Sequence, residues 1–304
     1  MGGISERYRI KYDYTLTSMP MLSKVKYLLS GATARVGRSP QCPSCGSSRN
    51  EAVDRKYFHT LLLCSDCNLL HRFPRENADE MKAFYEDGYA EPGLTTELPS
   101  DAELRKLTDS GFQGTEKDFS YHVEILQALG LTAGSRLLDF GANWGYSAWQ
   151  FQKAGFEVEG YELSRTRAAF GKKLGIEISS NLSLLHPPYD AVYSCHVLEH
   201  VPDPAATLKL QMSLVRPGGL VAAHTPNGSS SYRRREGAGF RLGWGEVHPV
   251  LLSDSFVAKV FDGHPYLITS DDRPEEVRKW DQSSQVIADC SHSGFFFAVR
   301  KPRL

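Results

Sequence analysis

The 304-residue sequence lacks several features that would each mark a class of protein. No apolar run approaches the roughly 18 residues that a membrane-spanning helix needs. The first residues carry mixed charges and no apolar signal-peptide core. Lys and Arg number 35 against 36 Asp and Glu, a formal net charge of −1, which argues against nucleic acid as the main partner. We therefore expect a cytoplasmic protein, and the composition leaves its oligomeric state open.

Cysteine is scarce, but its placement is informative. Four of the six cysteines form two Cys-x-x-Cys pairs separated by 18 residues. In a cytosolic chain this spacing indicates a metal site more than disulfides, and four thiolates suit tetrahedral zinc. Gly46 and Asn68 directly follow the pairs, where turn geometry favours such residues. We predict short strands at Tyr57-Phe58 and Leu61–Leu63, and a structural zinc ion held by Cys42, Cys45, Cys64 and Cys67.

The chain divides into four predicted regions. An N-terminal extension over 1–35 contains apolar residues at helical spacing between 21 and 30, which would dock on the protein itself or attach peripherally to a membrane. The zinc module covers 36–85 and includes a helical stretch from Ala78 to Tyr85, and a linker or lid covers 86–116. From 117 to 304, helices alternate with short apolar strands, which predicts an α/β fold with a doubly wound, mostly parallel sheet.

A nucleoside site is predicted where the first of these strands ends. Leu137–Gly145 reads as a buried strand running into a glycine turn that opens a helix, where backbone can approach a ligand closely. A second strand ends in Glu162, 21 residues beyond Gly141, where a carboxylate accepts hydrogen bonds from ribose hydroxyls. Dinucleotides and S-adenosylmethionine are both held at such turns. Trp144 would obstruct a pyrophosphate and Asp139 suits a cationic ligand, so the sequence favours S-adenosylmethionine.

From about Tyr121 onward, the chain resembles class I S-adenosylmethionine-dependent methyltransferases. The order and spacing of five stretches carry this resemblance, namely Leu137–Gly145, Val158–Ser164, Tyr189–Val192, His196–Val201 and Arg216–Leu220. The resemblance implies a seven-stranded Rossmann-like sheet. It also places Asp139, Gly141 and Gly145 around the methionine part of the cofactor, Glu162 at the ribose and Leu163 beside the adenine. Asn143 stands where many members carry a middle glycine and would lie against the methionine moiety.

The candidate catalytic residues follow the strand at 190–194. His196, Glu199 and His200 would face the methyl group, because ligands bind at the carboxyl ends of strands in doubly wound sheets. We predict His200 as the general base, because an imidazole titrates near neutral pH, with Glu199 orienting it. A divalent ion held by His196, Glu199 and His200 is an alternative, as in some quinone-type O-methyltransferases, although these carry an acid where this chain has His196. A purely structural turn is another.

A long polar loop after the strand at 219–224 would line the acceptor site. It contains Arg233–Arg235, which could grip an anionic acceptor or form a solvated run, and His248, a second candidate acid or base. A zinc module ahead of this domain resembles bacterial sugar and surface-polysaccharide methyltransferases. The resemblance implies methylation of a sugar hydroxyl, on a small molecule or a glycan. The alternatives are C-methylation of a nucleotide-linked deoxysugar, RNA base methylation and a non-catalytic scaffold that binds the cofactor.

Overall fold

The computed structural model describes residues 39–75, 96–245 and 248–303. The extension over 1–35 and the helix predicted from Ala78 to Tyr85 lie outside these residues. Within the described ranges, no helix combines the length and apolar character required to cross a bilayer.

The described residues form strands β1 (Asn50–Lys56), β2 (His59–Cys64), β3 (Leu70–Phe73), β4 (Arg136–Phe140), β5 (Glu157–Tyr161), β6 (Ile178–Ser179), β7 (Tyr189–Cys195), β8 (Val215–Pro226), β9 (Val250–Leu251), β10 (Tyr266–Thr269), β11 (Gln285–Ile287) and β12 (Gly294–Arg300). The helices are α1 (Asp101–Asp109), α2 (Ser120–Ala128), α3 (Tyr146–Lys153), α4 (Arg165–Phe170), α5 (Pro204–Leu214), α6 (Ser230–Glu236), α7 (Asp254–Val260) and α8 (Pro274–Val277). Short 3-10 turns cover Gly171–Leu174, Leu182–Leu184 and Gly237–Gly243.

The larger sheet has the order β11-β10-β12-β8-β7-β4-β5-β6. Strands β8, β7, β4, β5 and β6 run parallel to one another, whereas β12 is antiparallel to both β8 and β10. The central strands are buried on both faces, as expected for a parallel sheet covered by helices. All the carboxyl ends of the parallel strands therefore meet at one edge, where the predicted site residues lie.

The predicted α/β doubly wound, Rossmann-like architecture is confirmed, but the strand number was wrong. The sheet is mixed because β12 is antiparallel to both of its neighbours, and it has eight strands because β11 adds a parallel edge strand beside β10. This strand is three residues long and mostly exposed, so it lacks the apolar pattern that would have identified it.

A second sheet connects the cysteine module to the larger domain. It has the order β1-β2-β3-β9 and is antiparallel throughout, with His71 of β3 opposite Val250 of β9. The strand predicted at Tyr57-Phe58 is instead the exposed turn between β1 and β2. The module is therefore completed by a strand from the methyltransferase-like part of the chain.

The region predicted as a linker or lid contains a regular helix. Ser100 and Glu103 form a reciprocal capping box at the start of α1, and Leu104 and Phe112 are buried against the larger domain. This segment therefore packs as part of the domain surface, despite the Gly- and Pro-rich composition of the surrounding sequence.

Candidate functional site

The glycine turn lies at the carboxyl end of β4, as the sequence predicts. Gly141 and Gly145 have φ values of +92° and +98°, in the left-handed region that glycine adopts without strain. A Cβ atom on Gly141 would lie 2.2 Å from Cγ2 of Val197. The turn therefore packs directly against the segment that carries the candidate catalytic residues.

Asp139 is buried beneath this turn. Its Oδ2 accepts a hydrogen bond of 2.5 Å from the Ser147 hydroxyl at the start of α3. Burial raises the pKa of Asp139 to about 7, against the opposing effect of the Ser147 hydrogen bond, and the nearby Glu162 raises it further. A cationic group nearby would stabilise the ionised form of this buried carboxyl group. Asp139 therefore suits a contact with the cationic methionine part of S-adenosylmethionine.

Glu162 directly follows β5, and both of its carboxylate oxygens accept hydrogen bonds. Its Oε2 accepts from the backbone N–H of Asn143 at 3.1 Å, and its Oε1 accepts from the N–H of Ser164 at 2.8 Å. Nη2 of Arg167, on α4, also lies 2.8 Å from Oε1. Arg167 was not predicted at this site, although a cation in the first turn of the helix after Glu162 was a detectable signal. Leu163, predicted beside the adenine, is half-buried between Glu162 and the Ser164 cap of α4.

Trp144 does not obstruct a ligand at the turn, contrary to the prediction. Its side chain is fully buried and packs against Phe112, Tyr146 and Phe170, with ring centroids 4.9 to 6.0 Å apart. The ring is thus part of the core beside α3 and does not block the turn. The case for S-adenosylmethionine rests instead on Asp139 and on the family evidence given below.

The segment after β7 forms a tight turn around one buried carboxylate. Glu199 is 0% exposed, and its Oε1 lies 3.0 Å from Nδ1 of His196 and 3.8 Å from Nε2 of His200. The Thr225 hydroxyl donates to its Oε2 at 3.0 Å. Burial would raise the pKa of Glu199, but electrostatic interaction with His200 and the hydrogen bond from His196 lower it to about 2. Glu199 is therefore ionised and holds both histidines.

His248 packs against His200, with ring centroids 4.9 Å apart. Burial, with a further contribution from the adjacent His200, lowers the pKa of His248 to about 4, so its imidazole is neutral at pH 7. Donor atoms of Glu199, His200 and His248 all lie within 4.8 Å of one another. The ligands available to a divalent ion are thus Glu199, His200 and His248. The predicted set with His196 is not formed, because residues 196–200 are a turn and not a helix.

A chain of buried polar groups that the sequence analysis did not predict lies on the neighbouring part of the sheet edge. The Tyr193 hydroxyl is 2.5 Å from Nδ1 of His122 and 2.8 Å from Nδ1 of His224. Nε2 of His224 in turn bonds to the carboxylate of Asp272. Burial and the adjacent His224 hold the pKa of His122 well below its usual range. The network fixes α2 against β7 and β8, and only the tertiary fold brings these four residues together.

The four predicted cysteine ligands are brought together. Their sulfur atoms lie within 4.8 Å of one another, with Cys42 and Cys67 3.4 Å apart and Cys45 and Cys64 3.5 Å apart. Tetrahedral zinc with Zn–S bonds of about 2.3 Å separates its sulfurs by about 3.8 Å, so the donor set fits that ion. Gly46 and Asn68 have φ values of +73° and +64°, which confirms the predicted turns behind the two pairs.

Comparison with known proteins is consistent with this site. A family model described as a methyltransferase domain matches residues 115–270, just over half of the chain. Curated relatives include the ubiquinone biosynthesis O-methyltransferase of Alkalilimnicola ehrlichii, 32% identical over 114 residues, or 34% of this chain and 46% of that protein. The protein of the same name from Ralstonia nicotianae is 30% identical over 143 residues, 43% of this chain and 60% of its own length. The chain thus spans about half the length of the curated relatives it matches.

Among solved structures, the magnesium protoporphyrin IX methyltransferase of Synechocystis PCC 6803, with bound S-adenosylmethionine, is 14% identical with a TM-score of 0.46. That alignment covers 75% of this chain and all of the other.

The curated relatives correct one prediction and confirm another. The predicted sugar or glycan acceptor is wrong, because these relatives are named for ubiquinone biosynthesis. The resemblance to sugar methyltransferases rested on the zinc module, which lies outside the matched region. The predicted methyltransferase class is confirmed: the chain belongs to the methyltransferase domain family of S-adenosylmethionine-dependent class I enzymes.

Proposed function

We propose that this protein transfers a methyl group from S-adenosylmethionine to a hydroxyl on the ring of a quinone-type acceptor. The observation that carries the proposal is the buried, ionised Glu199 held between His196 and His200 beside the glycine turn. The names of the curated relatives support the acceptor class. This arrangement supports His200 as the base that would take the proton of an acceptor hydroxyl.

The residues present fit the cofactor. Asp139 would face the cationic methionine part, Glu162 the ribose hydroxyls and Leu163 the adenine, while Gly141, Asn143 and Gly145 bring backbone close to the ligand. S-adenosylmethionine, when bound, supplies an electrophilic methyl group on a sulfonium. The His200 imidazole accepts the proton of the acceptor hydroxyl, so that the oxygen can form its bond to the methyl carbon. Glu199 stabilises the resulting imidazolium through its charge, and the neutral His248 adds no opposing cation.

An assay of the full chain with S-adenosylmethionine and a short-tailed dihydroxybenzene acceptor tests this function. Mass spectrometry should detect a singly O-methylated product and S-adenosylhomocysteine in equal amounts. We expect His200→Gln to lower kcat by about 10²-fold or more while leaving cofactor affinity unchanged, since a positioned base contributes about that much. Cofactor binding without transfer to any aromatic hydroxyl would contradict the proposed acceptor.

A divalent ion on Glu199, His200 and His248 is the second arrangement that the geometry favours. Such an ion would act there as a Lewis acid toward the acceptor oxygen. Transfer measured with and without added Mg²⁺, in the full chain and in His248→Ala, distinguishes the two. A base mechanism predicts no response to Mg²⁺ in either protein, whereas an ion site predicts a response that His248→Ala loses.

We also propose that Cys42, Cys45, Cys64 and Cys67 hold a structural zinc ion. Four closed thiolate ligands leave no open position for chemistry, so the ion would stabilise the module. Such reduced cysteines fit a compartment like the cytoplasm, where thiols are kept reduced.

A further inference from the structure

Exposed apolar side chains are concentrated at the end of the cysteine module. Tyr57 and Phe58, in the turn between β1 and β2, are 70% and 44% exposed. Leu242, which is 55% exposed, lies at the same end, because its neighbour Arg241 binds the Asp54 carboxylate at 2.8 Å and the Arg55 carbonyl at 2.6 Å. Large apolar side chains that protrude together from a water-exposed surface indicate a contact with another apolar phase.

The same surface has an excess of positive charge in a chain of net charge −1. Residues 50–58 and 233–242, which we call the hairpin face, carry six cationic side chains and three anionic ones. Arg55, Arg234 and Arg235 are exposed. An excess of Lys and Arg on the hairpin face, together with its protruding aromatic residues, is complementary to an anionic, partly apolar surface.

A cavity of about 350 Å³ lies within the hairpin face. It is lined by Val53, Asp54, Arg233, Gly237, Ala238, Phe240 and Arg241. Asp54 is occupied by Arg241 and by the indole N–H of Trp244. The Arg233 side chain is half-buried in this lining, and its positive charge suits a phosphate oxygen that enters the cavity.

We propose that the hairpin face docks on an anionic phospholipid bilayer, with Tyr57 and Phe58 entering the headgroup region and Arg233 binding a lipid phosphate. Charge complementarity and the exposed aromatic turn together favour a bilayer over a protein partner. The loop that carries Leu242 also contacts the candidate active site, because Nδ1 of His248 lies 3.1 Å from the Gly243 carbonyl oxygen. Phe240 and Trp244 anchor the loop against β2 and β3, and the same loop leads to His248 beside His200.

Vesicle co-sedimentation of the full, zinc-loaded chain tests this proposal without any acceptor present. We expect binding to vesicles of phosphatidylcholine with phosphatidylglycerol, loss of that binding at high salt, and little binding to phosphatidylcholine alone. The double variant Tyr57→Ser/Phe58→Ser should bind these vesicles at least about ten-fold more weakly, because two aromatic side chains no longer enter the interface. The matched control is Leu182→Ser/Leu184→Ser, which removes an exposed apolar pair from a different loop.

The arginine is tested separately. Arg233→Gln should weaken vesicle binding more than Arg165→Gln, which removes an exposed cation from α4. Unchanged cofactor affinity in each variant, measured by calorimetry, shows that the protein is folded. The proposal is overturned if the unmodified chain stays in the supernatant with anionic vesicles. It is also overturned if the Tyr57/Phe58 variant binds vesicles as well as the Leu182/Leu184 variant and Arg233→Gln binds as well as Arg165→Gln. It is also overturned if inorganic phosphate raises the Tm through Arg233 while vesicles do not bind, because the cavity would then be a site for free phosphate.

Discussion

The guanidinium of Arg167 lies 2.8 Å from the carboxylate of Glu162, and both side chains are about nine-tenths buried. Removing one partner of a buried ion pair leaves the other charge uncompensated, which typically costs about 3–5 kcal/mol. We expect Glu162→Gln to lower the free energy of unfolding by about 3 kcal/mol and to weaken S-adenosylmethionine binding about ten-fold or more, since the ribose loses a charged acceptor. Denaturant unfolding and calorimetry measure the two effects.

Arg167→Met is the matched comparison for this pair. It should also destabilise the protein, but the cofactor affinity should change less than ten-fold, because the carboxylate and not the guanidinium would contact the ribose. If both variants lose the same affinity for S-adenosylmethionine, the ribose contact requires Glu162 and Arg167 together. An unchanged affinity in Glu162→Gln would remove Glu162 from the cofactor site.

Gly141 provides a test of the contact between the cofactor turn and the catalytic turn. Gly141→Ala would place a Cβ atom 2.2 Å from Cγ2 of Val197, at a φ of +92°. Gly130→Ala imposes a similar φ of +94° with no atom within 4 Å, so it isolates the backbone strain. We expect Gly130→Ala to cost about 1 kcal/mol of stability and Gly141→Ala to cost more. Only Gly141→Ala should also lower transfer activity, and equal effects would show that Val197 moves aside freely.

Cofactor binding should depend on pH through Asp139. Its pKa is raised from 3.8 to about 7 in the ligand-free protein, and a cationic ligand favours the ionised form. Affinity should therefore fall about ten-fold per pH unit below pH 7 and be flat above it. The same shift means that the contribution of Asp139 to the stability of the ligand-free protein is fully present below about pH 4 and is lost as the pH rises through about 7.

Calorimetry in buffers of different ionisation enthalpy measures the proton released on binding. We expect close to one proton per cofactor at pH 6 and almost none at pH 8. Asp139→Asn should abolish this difference. A proton release that persists in Asp139→Asn would have to come from another group.

Zinc removal should affect more than the cysteine module. Because β3 pairs with β9, loss of the module frees the segment that leads to His248. We expect Cys42→Ser to lower both zinc content and Tm, and to lower transfer activity as well. Cys290→Ser, at a buried cysteine outside the metal cluster, should keep its zinc. Metal analysis by mass spectrometry checks the stoichiometry, and a Cys42→Ser protein with full zinc content would exclude the four-cysteine site.

Local patterns in the sequence predicted those parts of the structure that depend on local chemistry. The buried strand predicted to run into the Gly141 turn is present as β4, and the cysteine spacing identified a cluster that the fold assembles. Contacts between distant segments carry no such signal. Trp144 reads as a ligand-facing residue in the sequence, but its direction is set by Phe112 and Phe170. His248 lies beside His200 only because the loop before β9 folds back over the sheet edge.

The pairing of β3 with β9 also has a consequence for how the chain is made. His71 reaches its partner Val250 only after some 180 further residues have been synthesised. Until then the cysteine hairpin has an open edge on β3, which is a template for pairing with another chain. Contacts of such long sequence separation form late and slow the folding of a domain. The emerging polypeptide therefore has a period of aggregation risk that ends when β9 leaves the ribosome.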